Sequence, residues 1–235
     1  CEKFCKAHVV NFNQKEETME LDVGAMIACT GFEQIDPIRL EEYGYGLHPD
    51  IVTNLQFERL MLQGIHKPSD GKVPKKVAFL LCVGSRMMNT DRGEEHCCKI
   101  GCMAAIKQAI LLLKAVPEAE PWIFYTDIRA DGKGYEEFYA TAQDHNVHFV
   151  RGRVAEVAPQ SDGKILVRAE DTLLGEEVEG TFDLVVLSLA ILPHPSASEL
   201  AKKLGIQLGG DGFYMERHYK LRPVDSQREG VFVAG

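Results

Sequence analysis

The chain has 235 residues, of which 45% are hydrophobic and 26% charged, an ordinary globular composition with enough apolar residues for a substantial core. Its formal net charge of -9 at pH 7 argues against binding to nucleic acid or to an anionic membrane surface, since both require concentrated Lys and Arg. No apolar run approaches the roughly 18–20 residues needed to cross a bilayer, so direct membrane insertion is not expected.

Both ends of the sequence indicate a fragment of a longer protein. The chain begins at Cys1 without an initiator Met or a signal peptide, and it ends at Gly235 directly after an apolar stretch. Seven cysteines in a chain of this size do not suit a small secreted disulfide scaffold. We therefore expect a cytoplasmic protein whose clustered cysteines serve metal or redox chemistry.

The first 70 residues predict one strand and one helix, followed by a linker. Residues 19–30 alternate and then turn apolar, which predicts a strand that ends at the Thr30-Gly31 turn. Residues 32–50 are rich in Gly, Tyr, Pro and acidic side chains and predict a long loop. Thr53 is a suitable N-cap for a helix over residues 54–62, and residues 64–74 predict the linker.

From residue 75 onward the pattern is typical of a doubly wound parallel sheet. The continuous apolar run of residues 77–82 predicts a strand that is buried on both faces. Helices and strands then alternate, with a helix over about residues 98–115, a strand over 121–126, a helix over 134–145 and a strand over 147–151.

An antiparallel insertion is predicted before the chain returns to the parallel pattern. Its three short strands cover residues 153–159, 164–170 and 176–181. A buried strand over 182–188, a helix over 198–204 and a last strand over 231–234 follow. The expected fold class is α/β, with a Rossmann-like three-layer domain of the NAD(P)-binding type that contains an antiparallel β insertion.

Four cysteines are expected to converge where the first parallel strand meets its helix. Cys82 ends the buried strand, while Cys97, Cys98 and Cys102 open the predicted helix, whose N-terminus would stabilise thiolates. In a helix, positions 98 and 102 share a face. Four sulfur ligands suit zinc or an iron–sulfur cluster. From spacing alone the alternative without metal stays open, with Cys82 a small buried hydrophobe and the adjacent pair free thiols.

The turn after the first parallel strand lacks the glycine pattern of a dinucleotide site. Such a turn carries Gly-x-Gly-x-x-Gly so that the backbone can approach a pyrophosphate. Here it reads Cys82-Val-Gly-Ser-Arg86 and continues into a long polar insertion. A nicotinamide dinucleotide is therefore not expected to bind there in the usual way, because the cysteines occupy its place.

Two further turns, Thr30-Gly31 and Ala234-Gly235, follow apolar strands on either side of this region. Each is a weak signal by itself, since most such turns are only tight strand ends. Together they resemble the two crossings between the FAD and NAD(P) domains of disulfide-reductase-type flavoproteins. On that basis residues 1–70 and 196–235 are expected to belong to a partial FAD domain, and residues 71–195 to a degenerate NAD(P)-binding-like domain.

Longer motifs extend this resemblance over nearly the whole chain. They are Val23-Gly-Ala-Met-Ile-Ala-Cys-Thr-Gly-Phe32, Cys82-Val-Gly-Ser-Arg86, Cys102-Met-Ala-Ala-Ile-Lys-Gln-Ala109, Thr126-Asp-Ile-Arg129, Gly132-Lys-Gly-Tyr-Glu-Glu-Phe-Tyr139, Asp183-Leu-Val-Val-Leu-Ser188 and Asp211-Gly-Phe213. With these motifs the sequence resembles the A subunit of heterodisulfide reductase and its relatives, including quinone-interacting oxidoreductase subunits.

The resemblance implies a thioredoxin-reductase-like fold, with FAD in the full-length protein and a [4Fe–4S] cluster in the former NAD(P) domain. It carries Cys82, Cys97 and Cys102 over as cluster ligands. The family's motif reads Cys-x-x-x-Cys-Cys at this point, and this sequence has Gly101 where the middle cysteine belongs. We interpret Cys98 as the replacement ligand, and zinc stays the alternative metal.

The same resemblance implies other cofactor contacts and partners. Thr30, Gly31, Ala234 and Gly235 would lie at the FAD, and Cys1 and Cys5 stand where such subunits often have a ferredoxin-like cysteine run, although surface cysteines are an equal alternative. The implied function is electron transfer between FAD and [4Fe–4S] clusters in an oxidoreductase that acts on sulfur groups. Partners would be other subunits of a redox complex, with a homodimer also open, and no catalytic residue is assigned.

Two other functions are compatible with the sequence. The first is a non-catalytic, degenerate nucleotide-binding domain with a structural zinc that mediates subunit contacts. The second is an NAD(P)H-dependent reductase with an unusual nucleotide site.

Overall fold

The computed structural model describes residues 4–7 and 9–234, so that Cys1 and Gly235 lie outside the described residues. In chain order its strands are β1 (Met26–Ala28), β2 (Phe32–Gln34), β3 (Ile51–Thr53), β4 (Lys76–Val83), β5 (Glu120–Tyr125), β6 (His148–Arg151), β7 (Val154–Pro159), β8 (Ile165–Asp171), β9 (Glu176–Phe182), β10 (Leu184–Leu189), β11 (Ile191–Pro193) and β12 (Val231–Val233). Its α-helices are α1 (Asn54–Gln63), α2 (Gly101–Ala115), α3 (Tyr135–Asp144) and α4 (Ala197–Leu204).

A five-stranded parallel sheet in the order β3-β10-β4-β5-β6 forms the middle layer. Strands β4 and β10 lie at its centre and are buried almost throughout, because their sequences are apolar on both faces. Helices α1 and α2 pack on one face through Phe57, Phe79 and Ile106. The antiparallel sheet β7-β8-β9 covers the other face through residues such as Val167 and Phe182.

These three layers confirm the predicted α/β fold class with its parallel sheet and antiparallel insertion. The local signal for α1 is confirmed as well. Thr53 Oγ1 accepts the N–H of Gln56 at 3.2 Å, while the Gln56 side chain accepts the N–H of Thr53 at 2.8 Å. This reciprocal capping box satisfies two donors at the helix start that would otherwise lack partners.

Several predicted boundaries were wrong. Strand β1 is only three residues long, and the predicted loop over 32–50 contains β2 and two short 3-10 helices. Strands β3 and β11 were not predicted, since three residues are too few for a periodic signal. Helix α2 begins at Gly101 rather than near residue 98, because Lys99 has a left-handed backbone with φ of 57°.

Outside the main sheet, β1 and β12 pair in parallel, with Ala28 opposite Val233, while β2 and β11 pair antiparallel. The segments that precede the Thr30-Gly31 and Ala234-Gly235 turns therefore lie side by side. The domain boundaries at residues 70 and 195 stay predictions. Strand β3 and helix α1 precede the first of them and belong to the central sheet and its helical layer.

Asp183, directly before β10, ties three segments together. Its carboxylate accepts the N–H groups of Lys75 and Lys76, each at 2.9 Å, and pairs with the ammonium of Lys164. Burial opposes ionisation of the carboxyl, but the Lys164 ion pair and the two N–H donors outweigh it. The pKa of Asp183 therefore lies below its usual value.

Replacement of Asp183 by Asn is expected to lower the free energy of unfolding at pH 7 by about 1.5–3 kcal/mol, the range for hydrogen bonds to charged groups. Because the folded-state pKa is the lower one, this stabilisation is present above the unfolded pKa of about 3.9 and is lost as the pH falls through the folded value. Denaturant unfolding at pH 7 and pH 3 checks this: the difference between wild type and variant should shrink in acid. Asp144→Asn is the control, because Asp144 is exposed. An equal difference in stability between wild type and Asp183→Asn at both pH values would contradict the predicted dependence on the pKa of Asp183.

Candidate functional site

A strained turn at the end of β4 carries the first cysteine of the site. Cys82 is 7% exposed and has a left-handed backbone with φ of 59°, and Arg86 has φ of 56°. A non-glycine residue in this region costs ~1–3 kcal/mol and persists only where its surroundings hold it. Between them Gly84, with φ of 78°, leaves room for Ile35 and Leu40, whose side chains would lie 3.0 Å from an added Cβ.

The polar insertion folds back on itself and returns the chain to Cys82. Arg86 N–H donates to His96 O at 3.1 Å, Met87 N–H to Glu94 O at 2.9 Å, and Glu94 N–H to Gly84 O at 2.7 Å. The ring of His96 has Nε2 2.9 Å from Ile191 O, so this nitrogen is engaged by the backbone. This hairpin-like loop places Cys97 beside the turn that follows Cys82.

Cys97 and Cys98 lie just before α2, not within it. Lys99 N–H donates to Cys97 Sγ at 3.3 Å, and Gly101 N–H donates to Cys98 Sγ at 3.4 Å. The Cys98 thiol also hydrogen-bonds to Cys97, which lowers the pKa of Cys97 to about 5 and raises the pKa of Cys98. The hydrogen bond therefore favours ionisation of the Cys97 thiol and opposes ionisation of the Cys98 thiol.

Gly101 leaves the space that the Cys98 sulfur uses. A Cβ added at Gly101 would stand 3.0 Å from Cys98 Sγ and 3.7 Å from Ser188 Cβ. The expectation that Cys98 and Cys102 share one face of a helix was wrong, because residue 98 is not helical. The Cys98 sulfur instead lies next to the position where the family motif has its middle cysteine.

Cys102 lies in the first turn of α2 and faces the end of β5. Its thiol donates to Asp127 O at 3.5 Å, and burial raises the pKa of Cys102 to about 11. The Asp127 carboxylate in turn contacts three arginines: Arg86 at 2.8 Å, Arg129 at 3.8 Å and Arg151 at 3.8 Å. One carboxylate and three guanidinium groups thus give this side of the site a net positive charge.

The four predicted cysteines all lie between the end of β4 and the first turn of α2. Cys82, Cys97 and Cys102 are close enough to influence one another's ionisation, and Cys98 is hydrogen-bonded to Cys97. Within residues 4–7 and 9–234, however, no group of three or more His, Cys, Asp or Glu side chains is arranged to hold one metal ion. The donor chemistry nevertheless fits an iron–sulfur group, since soft thiolates with N–H donors to sulfur and nearby positive charge are what such clusters use.

Asp127 is a residue of the candidate site that sequence reasoning missed. In dinucleotide-binding domains an acidic residue soon after the second strand binds the ribose, and Asp127 follows β5, the second strand of this unit. Its carboxylate is engaged instead by arginines. Both parts of a nicotinamide site, the phosphate turn and the ribose carboxylate, are thus committed to other contacts. The position of Asp127 directly after the strand was the available signal.

Three of the predicted FAD contacts, Thr30, Gly31 and Ala234, lie next to the paired strands β1 and β12. Thr30 Oγ1 donates to Tyr214 Oη at 3.2 Å, and Gly31 has φ of 69°. Ala234 N–H donates to Ala28 O at 3.0 Å, which extends the β1–β12 pairing by one residue. Thr30 and Ala234 therefore lie close together, whereas Gly235 is not described.

The fold and the site define a dinucleotide-binding type of domain in which a cysteine-bearing turn replaces the phosphate-binding turn. No protein-family model matches the chain. Among the described residues, no helix has the length and apolar character required to cross a bilayer.

Curated relatives match essentially the whole chain, and each is an A subunit of a heterodisulfide reductase. The chain is 44% identical over 97% of its length to the second iron–sulfur A subunit of the CoB–CoM heterodisulfide reductase of Methanopyrus kandleri. It is 42% identical over 100% to the A subunit of the H2:CoB–CoM heterodisulfide,ferredoxin reductase of Methanothermobacter marburgensis, and 44% over 100% to the iron–sulfur A subunit of Methanocaldococcus jannaschii. The chain belongs to this family, the A subunits of heterodisulfide reductase, and it spans 36–37% of the length of these relatives.

Among solved structures, the chain is similar to thioredoxin reductase of Lactococcus lactis, with 16% identity and a TM-score of 0.49 over 90% of this chain and 56% of that one. Thioredoxin reductase of T. acidophilum has 16% identity and a TM-score of 0.48 over the same shares.

Proposed function

We propose that these residues form part of a flavin and iron–sulfur electron-transfer subunit in an oxidoreductase that acts on heterodisulfides. The observation that carries the proposal is the position of Cys82, Cys97, Cys98 and Cys102 between β4 and α2, in a chain that is 44% identical to a protein named as an iron–sulfur subunit of heterodisulfide reductase. In this role the protein passes electrons between FAD and [4Fe–4S] clusters and works with other subunits of a redox complex.

Different parts of the fold position the four cysteines. Cys82 is held by the turn after β4, Cys102 by the first turn of α2, and the pair between them by backbone N–H groups of the same segment. When bound, the cluster supplies one-electron transfer. The N–H donors to sulfur and the positive charge of Arg86 and Arg129 stabilise the added negative charge, since hydrogen bonds and net charge set a cluster's potential.

The flavin part of the proposal concerns the full-length protein. Thr30, Gly31, Ala234 and Gly235 are the candidate FAD contacts, supported by the pairing of β1 with β12 at which the first three of them meet. Residues 1–70 and 196–235 would then flank the nucleotide-binding-like domain as parts of the FAD domain. A homodimer is compatible with this arrangement.

Metal analysis of the anaerobically purified full-length protein tests the proposed function. After reconstitution with iron and sulfide, the wild type is expected to contain both elements and to show the broad visible absorption of thiolate-bound clusters. Cys82→Ser should retain less iron, whereas Cys29→Ser should behave as wild type, because Cys29 is exposed and lies next to β1.

The outcomes separate the three functions. Absence of both iron and sulfide from the reconstituted wild type would show that the protein does not bind a cluster. Zinc in place of iron would favour a structural domain that mediates subunit contacts. Binding of NAD(P)H at micromolar concentration would favour a nicotinamide-dependent reductase.

A further inference from the structure

One arginine from the antiparallel sheet reaches across to the cysteine turn. Arg153 lies directly before β7, and its Nη2 donates to Cys82 O at 2.8 Å and to Ser85 O at 2.6 Å. Its Nη1 lies 3.4 Å from Arg86 O. A single guanidinium group therefore contacts three carbonyl oxygens of one five-residue turn, an arrangement that its planar fork of donors suits.

These carbonyl groups belong to the strained part of the site. Cys82 and Arg86 have left-handed backbones, with φ of 59° and 56°, and β4 loses its regular register with β10 at this point. Cys82 O also accepts the N–H of Ser85 at 3.2 Å. Because the turn contains two non-glycine residues in an unfavourable conformation, it depends on external contacts to keep its shape.

Arg153 is exposed, but the backbone on either side of it is held in place. Its neighbours Gly152 and Val154 are buried, and the packing of Gly152 against Glu170 fixes where the chain enters β7. The guanidinium also forms a side-chain hydrogen bond with Tyr43, which is 3% exposed. A supporting group that is positioned by packing can orient a ligand more accurately than one on a free loop.

The turn that Arg153 holds is also connected to a second ligand. Arg86, within the turn, pairs with the Asp127 carboxylate at 2.8 Å, and Asp127 O accepts the Cys102 thiol at 3.5 Å. We propose that Arg153 is a positioning residue that fixes the backbone of Cys82 for cluster binding and so connects the antiparallel sheet to the redox site. The cluster part of this inference rests on the proposed function, whereas the part concerning the turn does not.

The test compares Arg153→Gln and Arg153→Lys with wild type in the full-length protein. Arg168→Gln is the matched control, because Arg168 lies in the same antiparallel sheet and pairs with Glu156 and Glu179 on its exposed surface. Hydrogen exchange of the Ser85 and Arg86 amides is measured in metal-free protein. We expect exchange to accelerate about tenfold in Arg153→Gln, the effect of one net hydrogen bond, and to stay unchanged in Arg168→Gln.

The second readout is the midpoint potential of the reconstituted cluster, followed by a spectroscopic redox titration. Arg153→Gln is expected to shift the potential to more negative values, since a positive charge beside a ligand is lost. Arg153→Lys keeps the charge but not the fork, so it should retain the potential while still accelerating amide exchange. A general structural defect would not separate the two readouts in this way.

Each outcome decides one question. Wild-type exchange at Ser85 and Arg86 in both Arg153 variants would overturn the inference, and so would equal acceleration in Arg168→Gln. If Arg153→Gln does not fold, as judged by circular dichroism, the Lys variant supplies the comparison of amide exchange with wild type and Arg168→Gln. A wild-type protein that binds no iron would contradict the proposed function. The amide exchange measurement would still test whether Arg153 stabilises the turn.

Discussion

Replacement of Cys98 by Ser is expected to abolish stable retention of the cluster, and addition of Gly101→Cys to the same chain is expected to restore it. The reason is the local geometry. The Cys98 sulfur lies 3.4 Å from the backbone nitrogen of Gly101 and 3.0 Å from the point where a Cβ of residue 101 would stand. A cysteine at either position would therefore place its sulfur in nearly the same region, and under the proposed function Cys98 supplies it.

The single variant Gly101→Cys tests whether a cysteine at position 101 helps while Cys98 is still present. With Cys98 present, its new side chain meets the existing sulfur at a distance shorter than ordinary van der Waals contact. We therefore expect it to bind the cluster no better than wild type. In the double variant the smaller hydroxyl at position 98 relieves this crowding and leaves four cysteines near the site.

Iron and acid-labile sulfide content, together with the visible spectrum after anaerobic reconstitution, measure the effect. Cys29→Ser controls for the loss of a cysteine away from the site. Full iron content in Cys98→Ser would show that Cys98 is not a ligand. Failure of the double variant to recover, with Cys98→Ser defective, would show that residue 101 cannot replace it.

Replacement of Gly152 by Ala is expected to destabilise the domain by about 3 kcal/mol, at the upper end of the usual cost of overpacking. An added Cβ would stand 1.7 Å from Glu170 O and 2.9 Å from Glu170 C, both of them backbone atoms. Glu170 lies within the β8–β9 ladder opposite Glu177, so it cannot move without breaking that pairing. The clash must therefore displace β6, β7 or both.

Gly210→Ala is the matched control, because an added Cβ there meets nothing within 4 Å and the backbone is not left-handed. Chemical denaturation with a probe in the antiparallel sheet measures the difference. The control should stay within about 0.5 kcal/mol of wild type, as surface substitutions usually do. A similarly small change in Gly152→Ala would show that the β6–β7 junction yields more easily than the contact distance indicates.

The central sheet was predictable because its strands carry a strong and local signal. The continuous apolar sequence of β4 reports burial on both faces, which only a covered parallel sheet provides. The start of α1 was equally local, since Thr53 and Gln56 form its capping box. By contrast, β3 has three residues, and only pairing with β10 makes it a strand.

The candidate site was likewise predictable from the sequence only in part. The positions of Cys82, Cys97, Cys98 and Cys102 around a strand–helix junction indicated from the sequence where sulfur ligands would gather. The position of Asp127 after β5 was a signal that it belongs to the site, but the contacts that Asp127 and Arg153 make with the cysteine turn were not predictable, because each residue comes from a different strand connection. Contacts between residues distant in the chain leave no periodic pattern in the sequence.

The sequence by itself determined the α/β class, the loss of the dinucleotide glycine pattern, and the family resemblance that the 44% identical relatives confirmed. These properties depend on composition, periodicity and local spacing. Only the tertiary structure decided that Cys98 precedes the helix and lies against Gly101, and that Arg153 holds the turn of Cys82. These details depend on a few residues with left-handed backbone conformations and on contacts between the layers of the fold. The energies of both are set by tertiary packing and not by neighbouring residues in the sequence.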